Sequence, residues 1–189
     1  MADYREAMRD YIEREIAVLR ALDLDELNRA ANAIMAAHER GGMIYTMGNG
    51  GSAATASHMV CDFGKGLSDL LGGRPLQVQC LCDNTPMVMA VANDICYEDV
   101  FVYQLRERLS AGDLVIAISG SGNSENVVRV AEYAKEIGTP VLALTGYSGG
   151  KLARLADYRM HVAVDDMQIA EDLHMMFDHM LLRVLGNGE

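Results

Sequence analysis

At 189 residues, half of them hydrophobic, the chain is long enough to bury the core of one domain and too apolar to be disordered. A formal charge of −11 argues against direct binding to nucleic acid or to an anionic membrane, since both attract basic faces. No apolar run reaches the ~18–20 residues that cross a bilayer, and the acidic opening MADYREAMRDYIERE lacks the apolar centre of an export signal, so a cytoplasmic location is expected.

The first forty residues read as two helices. Met8, Ile12, Ile16 and Leu19 form a stripe on the first, and Leu27, Ala30, Ala31, Ile34 and Met35 on the second. Gly41-Gly42 stops the second helix. Beyond it the pattern changes to short apolar runs at 43–47, 76–82, 114–118, 140–144 and 159–164. Helical stretches are expected between them near 52–66, 85–94, 98–109, 123–137 and 150–156, with a last helix over 167–185. Strands alternating with helices imply an α/β fold: a doubly wound, mostly parallel five-stranded sheet with helices on both faces. The chain reads as one domain over 1–189, with a core from 42 to 189. The pair of helices in 1–41 has no obvious place in that core and is expected to pack outside it or to hold subunits together.

Two strand–loop–helix units stand out. The first is MIYTM-GNGGS-AATASHM, the second LVIAI-SGSGNS-ENVVRV. Glycines let the backbone approach a ligand, and the helix starts behind them offer free N–H groups and a positive dipole end. An acidic protein that binds an anion must do so locally, with such amides and with hydroxyls. Neither loop fits G-x-G-x-x-G or a P-loop with its lysine, so no nucleotide cofactor is expected. A phosphate monoester on a small molecule suits them, with Asn49, Gly50, Gly51 and Ser52 on one side and Ser119, Gly120, Ser121, Asn123 and Ser124 on the other. The amide-and-hydroxyl lining needs the carboxyl ends of two strands, where open α/β sheets bind ligands.

GNGGS, ISGSGNS and LTGYSGG resemble the sugar isomerase (SIS) domain, and specifically its phosphoheptose isomerase branch. The likeness runs through both N-terminal helices, AVANDICYEDVF and the last helix. It implies a flavodoxin-like SIS fold, a homotetramer with sites between subunits, and conversion of sedoheptulose 7-phosphate to a heptose 7-phosphate aldose. Other SIS-type readings are an isomerase of another sugar phosphate, and a regulator that binds a replication initiator or senses sugar phosphates.

Such an isomerase needs acid/base groups and a way to polarise a carbonyl. His58 and Asp62 form an i,i+4 pair, and the last helix offers Glu171, Asp172, His174, Asp178 and His179. A solvated helix face accounts for Asp172 and Asp178. The resemblance puts the base at Asp62, normally a glutamate, and the catalytic histidine at His179. It also puts the zinc set found in some members at His58, Asp62, Glu171 and His179, with Glu171 replacing the usual glutamine and counted as substrate-binding as well. Eight residues of straight helix rise about 12 Å, so Glu171 and His179 share one ion only if the helix starts irregularly or two subunits contribute. Asp94 is expected to hold a sugar hydroxyl, Thr145 to line the same mouth, and Lys65 to meet phosphate or solvent. Cys61, Cys80, Cys82 and Cys96 read as reduced, buried thiols.

Overall fold

Five strands form one parallel sheet in the order β2-β1-β3-β4-β5 in the computed structural model, which describes residues 2–187. The strands are β1 (Met43–Met47), β2 (Gln77–Cys80), β3 (Leu114–Ser119), β4 (Val141–Thr145) and β5 (Tyr158–His161). β1 lies beside β3 with Thr46 opposite Ile116 and Met47 opposite Ala117. The three central strands are apolar but for Thr46, Ser119 and Thr145, because both of their faces are covered. Ile44, Leu114, Ile116, Ile118, Leu142 and Leu144 point into one core; Tyr45, Met47, Val115, Ala117, Val141 and Ala143 point into the other.

Helices α1 (Arg5–Arg20) and α2 (Leu24–Arg40) open the chain. Asp23 caps α2 by accepting from the amides of Asp25 and Glu26, and Gly41 ends it in the left-handed region. α2 departs from the expectation of a pair outside the core: Leu27, Ala30, Ile34 and Ala37 are buried in the first core. Only α1 lies outside. None of its residues is fully buried, and Met8 and Ile12 are 62% and 53% exposed. Its ties to the body include Tyr11, which donates to Asp172, and an Arg14–Asp166 ion pair at 2.8 Å.

The remaining cover comes from α3 (Gly51–Cys61), α4 (Ser68–Leu71), α5 (Thr85–Asp94), α6 (Val102–Leu105), α7 (Glu125–Ile137), α8 (Gly150–Leu155) and α9 (Met167–Gly186). The helix expected over 52–66 is interrupted: a π-helical turn runs from Asp62 to Leu67. DFGKGL contains two glycines, which resist a tight helix least when a wider turn is imposed. The helix expected over 98–109 also breaks, into a 3₁₀ turn (Tyr97–Asp99) and α6. There the buried Gln104 amide donates to the carbonyls of Leu81 and Val100, tying the segment to the sheet end. β5 is shorter than 159–164. Cys80 is buried, whereas Cys61 is exposed, contrary to the reading of buried thiols. No described helix is long and apolar enough to cross a membrane.

α9 buries His174 completely, with neither ring nitrogen hydrogen-bonded among the described residues. Burial pushes the ring from 6.5 down to about 4, opposed in part by the Thr145 backbone and reinforced by the nearby His161. The ring is therefore neutral in the fold, while the unfolded chain takes up a proton below about pH 6.5. Its contribution to stability is present above that pH and is lost as pH falls toward 4. His174→Leu should lose about 2 kcal/mol less stability than the wild type between pH 7 and pH 5, read from urea midpoints. Equal losses in the two proteins would contradict this.

Candidate functional site

β1 and β3 are neighbours in the sheet but are followed by helices on opposite faces, so their carboxyl ends form the switch point of the strand order. The Gly48–Ser52 and Ser119–Ser124 loops leave the sheet there side by side. They enclose a cavity of about 170 Å³ lined by Asn49, Ser52, Ser119, Ser121, Ser124 and Glu171 among others. Ser119 Oγ donates to Ser124 Oγ at 3.1 Å. Asn123 braces its own loop: its side-chain amide donates to the Ser121 carbonyl at 2.9 Å and its Oδ1 accepts from the Lys151 amide at 3.1 Å. A larger cavity of about 580 Å³ lies between α1, α2 and β5. Its cation, Arg159, is already held by Glu26 at 2.7 Å, and neither glycine loop reaches it.

Two further side chains join the loops. Asn49 Oδ1 accepts from Asn126 Nδ2 at 2.9 Å and from the Tyr97 hydroxyl at 2.7 Å, and Asn49 Nδ2 donates to Asn126 Oδ1 at 2.9 Å. Asn126 had a faint sequence signal, an amide in the first turn of α7 directly behind the serine loop; Tyr97 had none.

Close packing rather than turn geometry explains several of the glycines. A Cβ on Gly51 would strike the Glu171 carboxylate, and one on Gly120 would strike the Met167 sulfur. Glu171 thus stands against the start of α3, at the loop end. α9 is regular from Met167 onward, which removes the irregular helix start considered for Glu171. Within one chain Glu171 and His179 are separated by about 12 Å of helix.

A second group of side chains gathers further along α3 and α9. His58 Nε2 lies 3.3 Å from His179 Nε2 and 3.6 Å from Asp62 Oδ1. Asp178 completes the group: one ligand atom from each of His58, Asp62, Asp178 and His179 lies within 4.8 Å of all the others. Both histidines are exposed, Asp62 is half-buried and Asp178 fully buried. This corrects the solvated-face reading of Asp178, which the α9 rotation turns inward beside Phe177 and Leu181. Burial, and then the neighbouring Asp62 carboxylate, push Asp178 up to about 7. The π-helical turn begins at Asp62, so the chain widens where this carboxylate meets the imidazoles.

The other expected positions stand apart. Asp94 is exposed at the end of α5, where its carboxylate accepts from Asn93. Thr145 is fully buried, with its hydroxyl 3.0 Å from His161 Nδ1. Lys65 is exposed and paired with Asp69 at 3.3 Å, which favours the solvated reading.

The SIS domain family matches residues 3–146. A probable phosphoheptose isomerase of Thermoplasma volcanium is 36% identical over 178 residues, which cover 94% of this chain and 90% of that protein. A phosphoheptose isomerase of Mycobacterium bovis is 37% identical over 183 residues, covering 95% and 92%. The structure of phosphoheptose isomerase from Neisseria gonorrhoeae superposes with a TM-score of 0.88 at 27% identity, over 98% of this chain and all of that one.

Gly122 is the most constrained position of the serine loop. It has φ +66°, and a Cβ there would meet the Gly149 carbonyl. Gly122→Ala should cost at least about 2 kcal/mol, from the left-handed conformation and the backbone displacement together. Thermal or urea unfolding at pH 7 reads this directly, and unchanged stability would contradict it.

Proposed function

The chain belongs to the SIS domain family, in its phosphoheptose isomerase branch, and from that premise we infer that it interconverts sedoheptulose 7-phosphate and the corresponding heptose 7-phosphate aldose. One observation carries the reading: two serine/glycine loops meet at the switch point, and a carboxylate–imidazole group lies further along α3, which follows the first loop, and α9 beside it. Gly51 and His58 are seven residues apart on α3, about 10 Å. A substrate that reaches both ends must be a long, extended sugar phosphate rather than a triose phosphate.

The phosphate sits on the hydroxyls of Ser119, Ser121 and Ser124 and on amides at the starts of α3 and α7, which face an anion with their positive ends. Asn49, by holding Asn126 and Tyr97, keeps the two loops in register around it. Asn123 does the same for the turn between Ser121 and Ser124. Glu171 and the amides of Gly50 and Gly51 border the sugar beside Ser52, and Asp94 completes the hydroxyl contacts from the end of α5.

Isomerisation moves one proton between C1 and C2 and one between the oxygens on those carbons. Asp62 takes the carbon-bound proton from the ketose and leaves an enediol; its carboxylic acid then returns a proton to the neighbouring carbon. His179 exchanges the hydroxyl proton. His58, within 3.6 Å of Asp62, positions the carboxylate. A carboxylate is a weak base, so the substrate carbonyl must be polarised for the transfer to be fast. The donors near Asp62 suit a divalent ion: imidazole nitrogens and carboxylate oxygens are the ordinary ligands of zinc, and Asp178 is a buried carboxylate without a hydrogen-bond partner. A Zn²⁺ ion there, held by His58, Asp62 and His179, would supply that polarisation.

The exposed stripe of α1 around Met8 and Ile12 supports a homo-oligomer, the tetramer implied by the family, with sites shared between subunits. A phosphate monoester does not cross an apolar bilayer unaided, which supports action in the cytoplasm where such substrates are held.

Asp62→Asn and His179→Ala should each lower kcat for sedoheptulose 7-phosphate by ~10²–10⁴ while changing ligand affinity little. Near-full turnover by Asp62→Asn would remove the base assignment. Asp62→Glu restores the length usual in the family and should keep activity. The function itself is tested by comparing turnover of sedoheptulose 7-phosphate with that of ribulose and fructose phosphates; no turnover of the first would overturn it.

The phosphate assignment has a separate test. Ser121→Ala combined with Ser124→Ala should weaken sugar-phosphate binding by ~1–3 kcal/mol in calorimetry, the worth of lost hydrogen bonds to a charged group. Unchanged affinity would move the phosphate elsewhere.

A further inference from the structure

Asp178 has no part in the proton transfers described above, yet its position is a costly one for a carboxylate. The side chain has no solvent exposure, and neither oxygen has a hydrogen-bond partner among the described residues. An ionised carboxylate in that state is strongly disfavoured unless an opposite charge reaches it. No lysine or arginine does so: the ion pairs of the described residues leave Asp178 out. The neighbouring carboxylate of Asp62 carries the same sign. Two carboxylates packed this closely repel one another, and with two imidazoles beside them they make a good donor set for a dication.

The helix geometry divides their roles. Successive residues of a helix do not face each other, so Asp178 and His179 approach the groove between α3 and α9 from different directions. Asp178 forms its buried floor; His179 and His58 stand at the solvent-exposed rim, which leaves an entry path. Glu171 belongs to the other end, with its carboxylate against Gly51.

We propose that Asp178 is the fourth protein ligand of a divalent metal site formed within one subunit by His58, Asp62 and His179, in the role that the family likeness gives to Glu171. This rests on the metal reading made above and specifies its donors. Glu171 is then free to serve the sugar. The site needs no ligand from a second subunit, and a buried charge that would otherwise be uncompensated is matched by the ion.

The test is a Zn²⁺ titration of the full chain after chelator treatment, by calorimetry at neutral pH. The wild type should bind one Zn²⁺ per chain. Asp178→Asn should weaken that binding by about a hundredfold or more, since even ligand-supporting neighbours are worth 10–100-fold. Glu171→Gln should leave the affinity unchanged. Asp178→Leu, which suits an apolar floor and keeps the test open if the amide variant folds poorly, should melt higher than the metal-free wild type and gain no melting temperature from Zn²⁺. Wild-type affinity in Asp178→Asn, or loss of Zn²⁺ in Glu171→Gln, would overturn the proposal while leaving the metal reading intact. Failure of the wild type to bind Zn²⁺ would overturn both, and turnover measured on the same stripped protein would show whether the isomerase reading survives without them.

Discussion

The parallel pairing of β1 with β3 is the constraint from which the site follows. The two strands are far apart in sequence, yet Met47 lies opposite Ala117, and the loops that continue from them leave the sheet at the same level. Right-handed crossovers send α3 and α7 to opposite faces, so the chain opens a crevice between two helix starts. Each start carries unpaired amides and a positive dipole end. In a protein of charge −11, that local arrangement is what makes an anion welcome. The Asn49–Asn126–Tyr97 bonds then fix the distance between the loops.

α3 and α9 carry the second constraint. Gly51 stands beside Glu171 and His58 beside His179, so near-equal spacings on two adjacent helices produce two separate functional ends. A Cβ at position 51 would strike the Glu171 carboxylate where it now lies, so glycine there lets that side chain stand close at the loop end. At the other end, the π-helical turn beginning at Asp62 changes the direction of the chain just after its carboxylate. Wider turns of this kind cost hydrogen-bond quality and persist where something else is gained; here they hold Asp62 within reach of both imidazoles.

The buried polar groups of α9 give the helix a mixed character. His174 is neutralised by its apolar surroundings, whereas Asp178 sits beside another carboxylate. Both are fully buried, where leucine or phenylalanine would pack with no desolvation cost. Stability alone does not explain their presence, and Asp178 is accounted for only when the chemistry beside it is considered. α1 shows the opposite case: apolar residues stand where water is, the kind of surface on which the association proposed above rests.

Much of the architecture was legible in the sequence. Strands buried on both faces must be continuous apolar runs, and β1, β3 and β4 have that form within a residue or so of their bounds. The Gly41-Gly42 stop and the apolar stripe located α2 because those signals act within a few residues of each other. The two serine/glycine loops could be recognised for the same reason, and so could the candidate pairing of His58 with Asp62 one turn apart. What the sequence could not supply was rotation and proximity between segments. A helical wheel left Asp178 on a solvated face, because the face that α9 buries is decided by how it packs against α3 and the sheet. Whether α2 joined the core depended on the open flank of β5, and the position of Glu171 depended on the empty space above Gly51. Tyr97 reaches Asn49 across 48 residues, and no local pattern records a contact of that kind. Local chemistry fixes which groups are available; the tertiary fold decides which of them meet, since burial and contact are properties of segments brought together from distant parts of the chain.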